Sequence, residues 1–158
     1  MQYSQESDHL RFEQVSLDDL PTVAQLLLEH SEHPTNLLEA PMGSGKTTLC
    51  NAIVEAWGSV AAGSSPTFSL IEEHRGPNGL FYHMDAYRIE DESEAYDFGL
   101  EEYFESNVPM WIEWASRVES FLPYKVGLCR IIMGEDMNSR TVLFWPNVKR
   151  TEINWNHG

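Results

Sequence analysis

Residues 40–47 read Ala40-Pro41-Met42-Gly43-Ser44-Gly45-Lys46-Thr47, the form of a phosphate-binding P-loop with alanine in place of the first glycine. Gly43 and Gly45 let the backbone bend so that several N–H groups point into one concavity. A helix following the loop adds the partial positive charge of its N-terminus. In this chemistry Lys46 is expected on the β- and γ-phosphates and the Thr47 hydroxyl on Mg²⁺. The nucleotide-binding stretch then runs through Met42, Gly43, Ser44, Gly45, Lys46, Thr47 and Thr48. Lys46 is the only lysine before Lys125, so the match is not drawn from a basic background.

The context fits on both sides. Thr35–Glu39 reads as a short strand, and Thr47–Trp57 as a helix stopped by Gly58. Upstream, Leu17, Leu20, Val23, Ala24, Leu27 and Leu28 repeat at helical spacing, predicting a helix over 17–30. Ser16 and Asp19 form a capping box with Asp in place of Glu, and Pro21 falls in the first turn. Arg11–Val15 reads as a strand. Downstream, the runs 68–74 and 80–85 flank Arg75-Gly76-Pro77-Asn78-Gly79, which predicts a hairpin. Residues 92–104 form an acidic helical segment interrupted at Gly99, 108–114 a dense apolar strand, and 115–122 a helix. The runs 126–133 and 141–145 predict a final hairpin. Residues 1–10 and 146–158 are polar and expected to be loose. Strands interleaved with helices give an α/β class: a single P-loop NTPase-like three-layer sandwich, with a central mixed sheet and a C-terminal β-hairpin.

A P-loop needs carboxylates nearby. Two apolar strands carry one each at or near the C-terminal end, Asp85 after 80–84 and Glu113 after 108–112. Ligands of open α/β sheets gather outside the carboxyl ends of the strands, so both acids are well placed. His83 alternates with Asp85 on one strand face; it could assist the site, though a satisfied core histidine is the preferred reading. Arg88 is either a cis arginine or a surface ion pair.

Five blocks occur in order: Gly43-Ser44-Gly45-Lys46-Thr47-Thr48, Ser65-Pro66-Thr67-Phe68, His83-Met84-Asp85-Ala86-Tyr87-Arg88, Gly99-Leu100-Glu101-Glu102-Tyr103-Phe104 and Ile112-Glu113-Trp114. Together they resemble the TsaE family, the bacterial ATPases of tRNA threonylcarbamoyladenosine biosynthesis, over about residues 11–145. The resemblance implies a weak ATPase that binds the threonylcarbamoyl-transferring enzyme complex and supports modification of adenosine 37. By position it implies that Lys46 and Thr47 bind ATP and Mg²⁺, that Thr67 senses the γ-phosphate, and that Asp85 and Glu113 serve the metal and the attacking water. It implies that Trp114 is the aromatic neighbour at the nucleotide. Ala115 stands where the family usually has proline, which bears on the local turn.

The chain has 158 residues, enough for one domain and a real core. Ten Lys and Arg against 25 Asp and Glu give a net charge of −15, which argues against a direct grip on nucleic acid or on an anionic membrane surface. Eight acids, Glu90, Asp91, Glu92, Glu94, Asp97, Glu101, Glu102 and Glu105, crowd one basic-free segment. They form either a solvated face or a docking surface for a basic partner. Cys50 and Cys129 show no metal spacing and are expected to be reduced and buried. With no apolar run of membrane length and no secretory signal, the expected compartment is the cytoplasm. A small-molecule kinase is the first rival, disfavoured because Arg88, Arg117 and Arg140 are scattered rather than gathered in a lid. A regulatory GTPase needs Asp-x-x-Gly, and Asp85-Ala86-Tyr87-Arg88 lacks the glycine. A nucleotide-gated binding module without meaningful catalysis remains an alternative.

Overall fold

The computed structural model describes residues 1–64, 70–136 and 138–155. In chain order the elements are β1 (Gln2–Gln5), β2 (Leu10–Val15), α1 (Leu20–His30), β3 (Thr35–Glu39), α2 (Lys46–Trp57), β4 (Ala61–Ser64), β5 (Ile71–Gly76) and β6 (Gly79–Asp85). They continue with α3 (Glu92–Asp97), α4 (Leu100–Glu105), β7 (Met110–Glu113), β8 (Lys125–Met133) and β9 (Arg140–Lys149). Short 3-10 turns cover Leu17–Asp19, Ala115–Phe121 and Arg150–Glu152.

All strands join one nine-stranded sheet in the order β1-β2-β9-β8-β3-β7-β6-β5-β4. The middle of the sheet, β8, β3, β7 and β6, is parallel, and antiparallel strands extend it on both sides. Every residue of β3 is buried, as a central parallel strand covered on both faces requires. Alternation sends its neighbours to opposite faces. Leu38, Trp111 and Cys129 pack with Val23 and Leu27 of α1 and Leu49 and Ile53 of α2. Leu37, Ile112 and Leu128 pack with Ala95, Leu100, Val118 and Leu122 from the other side. The mixed sheet between two helical layers and the hairpin of β8 and β9 match the expected class.

This alternation also sets the site. Phe81 lies in the cluster beneath α2 while Met84 lies in the opposite one, so His83 and Asp85 share the α2 face with Phe81. Trp111 lies in the α2 cluster too, which puts Glu113 on that face. In register, Glu113 stands between Leu38 of β3 and Asp85 of β6.

The ends differ from the sequence reading. Gln2–Gln5 is fully exposed yet paired antiparallel with β2. Strand β9 continues past Pro146 to Lys149, because an irregularity opposite Val126 and Leu128 absorbs the residue that cannot donate. Beyond it, Ile153 and Trp155 pack on the core, and Arg130 Nη2 donates to the Asn154 carbonyl at 2.6 Å. Residues 115–121 form 3-10 turns kinked at Val118 rather than an α-helix. The first hairpin strand starts at Ile71. Residues 65–69, Thr67 among them, lie outside the described residues.

Candidate functional site

The loop between β3 and α2 carries two left-handed residues, Gly43 at φ +78° and Gly45 at φ +100°. A side chain at either would meet no atom within 4 Å, so backbone conformation rather than crowding calls for glycine. Gly45 is also the N-cap of α2 and brings no capping side chain. The first-turn N–H groups of α2 are therefore left facing the loop, where an anion can take them.

Lys46 opens that helix and is 7% exposed. Its Nζ is buried, has no hydrogen-bond partner among the described residues and lies 3.9 Å from the centre of the Trp114 ring. Burial pulls the ammonium below the ordinary lysine value, against the opposing pull of Glu113, Asp85, Cys50 and Glu39. Trp114 itself sits at φ +60°, a left-handed conformation that costs a bulky residue about 1–2 kcal/mol. That turn swings the indole out of line with β7 and over the lysine. Arg117 joins the same aromatic group, 5.7 Å from the centre of the Trp114 ring and 5.9 Å from that of Tyr87, and the Tyr87 and Trp114 rings are 4.9 Å apart.

Both oxygens of the buried Glu113 carboxylate are engaged. The Thr47 hydroxyl donates to Oε1 at 2.9 Å, and His83 Nε2 lies 2.7 Å from Oε2. Burial pushes this carboxyl up. The hydrogen bond and charge of His83, the Thr47 hydroxyl and Lys46 outweigh it and hold Glu113 below its ordinary value. An ionised carboxylate only accepts, so His83 Nε2 is the donor. The Cys50 thiol lies in the same buried group, its ligand atom within 4.8 Å of those of His83 and Glu113, and burial raises its pKa well above the ordinary thiol value. Asp85 is exposed at the rim, where its Oδ1 accepts the Tyr87 N–H at 3.0 Å.

An open cleft of about 440 Å³ brings together Met42, Gly43, Gly45, Lys46, Thr47, Thr48, Asp85, Glu113 and Trp114, all singled out in the sequence. Ser44 is buried behind the loop and borders a second cavity of about 220 Å³, walled by Val15, Leu17, Leu20, Asn138 and Arg140. Arg88 is exposed and makes no ion pair among the described residues. Two residues stand differently from the preferred sequence reading. His83, preferred as a satisfied core histidine, is joined to Glu113, and the signal was its place on the same strand face as Asp85. Arg117, three residues after Trp114, joins the aromatic stack.

The cleft thus gathers a buried cation, free helix N–H groups, a hydroxyl and two acids at the carboxyl ends of parallel strands. Such a set suits a polyanion carrying a divalent cation. The family model described as "Threonylcarbamoyl adenosine biosynthesis protein TsaE" matches residues 15–142. The chain is 37% identical over 115 residues to the tRNA threonylcarbamoyladenosine biosynthesis protein TsaE of Bacillus subtilis, covering 72% of each. It is 30% identical over 132 residues to the protein of that name from Haemophilus influenzae, covering 82% of this chain and 84% of the relative. Among solved structures it resembles the crystal structure of Bacillus subtilis YdiB, with a TM-score of 0.65 and 28% identity over 89% of this chain and 87% of that one.

Proposed function

The chain belongs to the TsaE family of threonylcarbamoyl adenosine biosynthesis proteins, and from that footing we propose that it binds ATP and hydrolyses it slowly. In this reading it supports formation of threonylcarbamoyladenosine at position 37 of tRNA by binding the threonylcarbamoyl-transferring enzyme complex. The observation that carries the nucleotide reading is Lys46 Nζ, buried at the glycine loop and without a hydrogen-bond partner among the described residues. A buried ammonium is costly unless an anion meets it, and the β- and γ-phosphates are the anions such a loop takes.

The residues fit ATP with Mg²⁺. Thr47, Glu113 and Asp85 are the groups that would hold the metal, directly or through water, and bound Mg²⁺ would neutralise charge on the phosphates. Glu113 accepts the Thr47 proton, which leaves the hydroxyl lone pairs free to face the cleft. In this reading Asp85, at the exposed rim, orients water. The apolar cavity behind Ser44 is a natural seat for the base. Phosphoryl transfer depends on positioning and charge neutralisation, so a site that its partner completes is slow alone.

The test measures retention of the transferring enzymes on the immobilised chain with and without ATP, alongside single-turnover hydrolysis. ATP-dependent retention with faster hydrolysis in the complex supports the reading. Retention indifferent to ATP contradicts it. Retention without any hydrolysis favours the nucleotide-gated binding module instead.

A further inference from the structure

We infer that His83 is a positioning residue for the metal-binding half of the site: its ring N–H fixes Glu113 so that Glu113 can orient the Thr47 hydroxyl toward the divalent cation of a bound nucleotide. The inference rests on the nucleotide reading above and extends it to a residue that does not line the cleft.

The geometry is a relay across three elements. His83 comes from β6, Glu113 from β7 and Thr47 from α2. The separations are 2.7 Å from His83 Nε2 to Glu113 Oε2 and 2.9 Å from Thr47 Oγ1 to Glu113 Oε1. The side chains of His83 and Glu113 are 7% and 4% exposed, so water does not replace the ring as donor. A carboxylate held at one oxygen pivots about its own bonds. Held at both, it has one orientation, and the direction of the threonine lone pairs follows from it. Among the described residues His83, beside Phe81 on its strand and against Trp111 in register, hydrogen-bonds to no side chain but Glu113.

Partners that orient metal-binding groups in this way typically matter 10–100-fold for metal affinity when they are removed. The test uses His83→Gln, whose amide N–H falls near the place of Nε2, and His83→Asn, whose shorter amide withdraws it. His83→Leu, which fills the ring's volume without a donor, replaces the asparagine variant if that one does not fold. ATP binding is titrated by calorimetry in EDTA and across Mg²⁺ concentrations. The expected result is unchanged affinity in EDTA for all variants. The Mg²⁺ concentration for half-maximal enhancement should rise about tenfold in His83→Asn or His83→Leu and stay within about threefold in His83→Gln. Unchanged Mg²⁺ dependence in every variant overturns the inference. An equal shift in the glutamine variant overturns it too, because the ring would then act by packing alone. Wild-type protein that binds no ATP under any condition overturns the nucleotide reading itself, an outcome the variants cannot mimic.

Discussion

At the level of one side chain, Glu113 is where binding and hydrolysis in the proposed site can be told apart. Glu113→Gln keeps an acceptor for Thr47 but removes the charge. We expect single-turnover hydrolysis in the partner complex to fall about 10²-fold, while ATP affinity in EDTA changes less than about threefold. Equal losses in both would assign Glu113 to nucleotide binding. Gly45→Ala places a side chain at φ +100° with open space around it. The cost is therefore backbone strain of about 1–2 kcal/mol, read as a lower urea midpoint, together with weaker ATP binding as the N–H groups turn away. Much of this site was legible beforehand. Glycine spacing fixes Lys46 and Thr47, and the ends of two apolar strands supply Asp85 and Glu113. The His83 link was not legible, because spacing along one strand cannot say which side chain faces it from the next. The lysine's stacking on Trp114 was equally hidden, since it depends on a left-handed turn that an ordinary tryptophan does not advertise.

Elements follow the sequence wherever burial and turn chemistry agree. Strand β3 is found at its expected limits because five buried residues lie between a helix end and a glycine loop. The first-turn box of Ser16 and Asp19 forms as spaced, with the Ser16 N–H and hydroxyl donating to Asp19 Oδ2 at 2.9 and 3.0 Å. Those bonds hold the Asp19 carboxyl below its ordinary value. A depressed carboxyl contributes stability above its unfolded pKa and loses it as pH falls through the folded one. Thermal unfolding of Asp19→Asn should therefore sit below wild type at neutral pH and converge with it in acid. A constant offset down to low pH would contradict this origin. Strand β8 packs so close to β3 that a side chain on Gly127 would overlap Asn36 Oδ1 and press on Phe144. Gly127→Ala should cost about 1–3 kcal/mol in urea unfolding, and no loss would mean that Asn36 moves aside freely. The elements that sequence missed are those without a hydrophobic signal. Gln2–Gln5 is wholly exposed and exists through its ladder with β2. Ala61–Ser64 is an edge strand of small residues, and β9 runs through a proline that usually ends strands.

Across the whole molecule, the charge of −15 and the proposed nucleotide site divide the labour. One lysine and a helix N-terminus suffice for a phosphate chain, whereas a tRNA backbone needs many clustered cations, which ten Lys and Arg against 25 acids do not favour. At about 0.15 M salt, filter binding with tRNA alone should show no retention by this chain. Tight binding there would mean that the chain grips its pathway's substrate itself. Among the described residues no helix is long and apolar enough to cross a membrane. The parallel centre of the sheet brings the glycine loop, Glu113 and Asp85 to one end, so that membership of the TsaE family and the geometry of the cleft point to the same chemistry. In the proposed reading that chemistry turns on the buried Lys46 ammonium, which has no hydrogen-bond partner among the described residues. The most direct measurement is a calorimetric titration of ATP with Mg²⁺ into the wild type and into Lys46→Ala. The account predicts saturable binding by the wild type and a loss of at least about tenfold in the variant, the worth of one charge-assisted hydrogen bond. Equal affinities in the two proteins would contradict it.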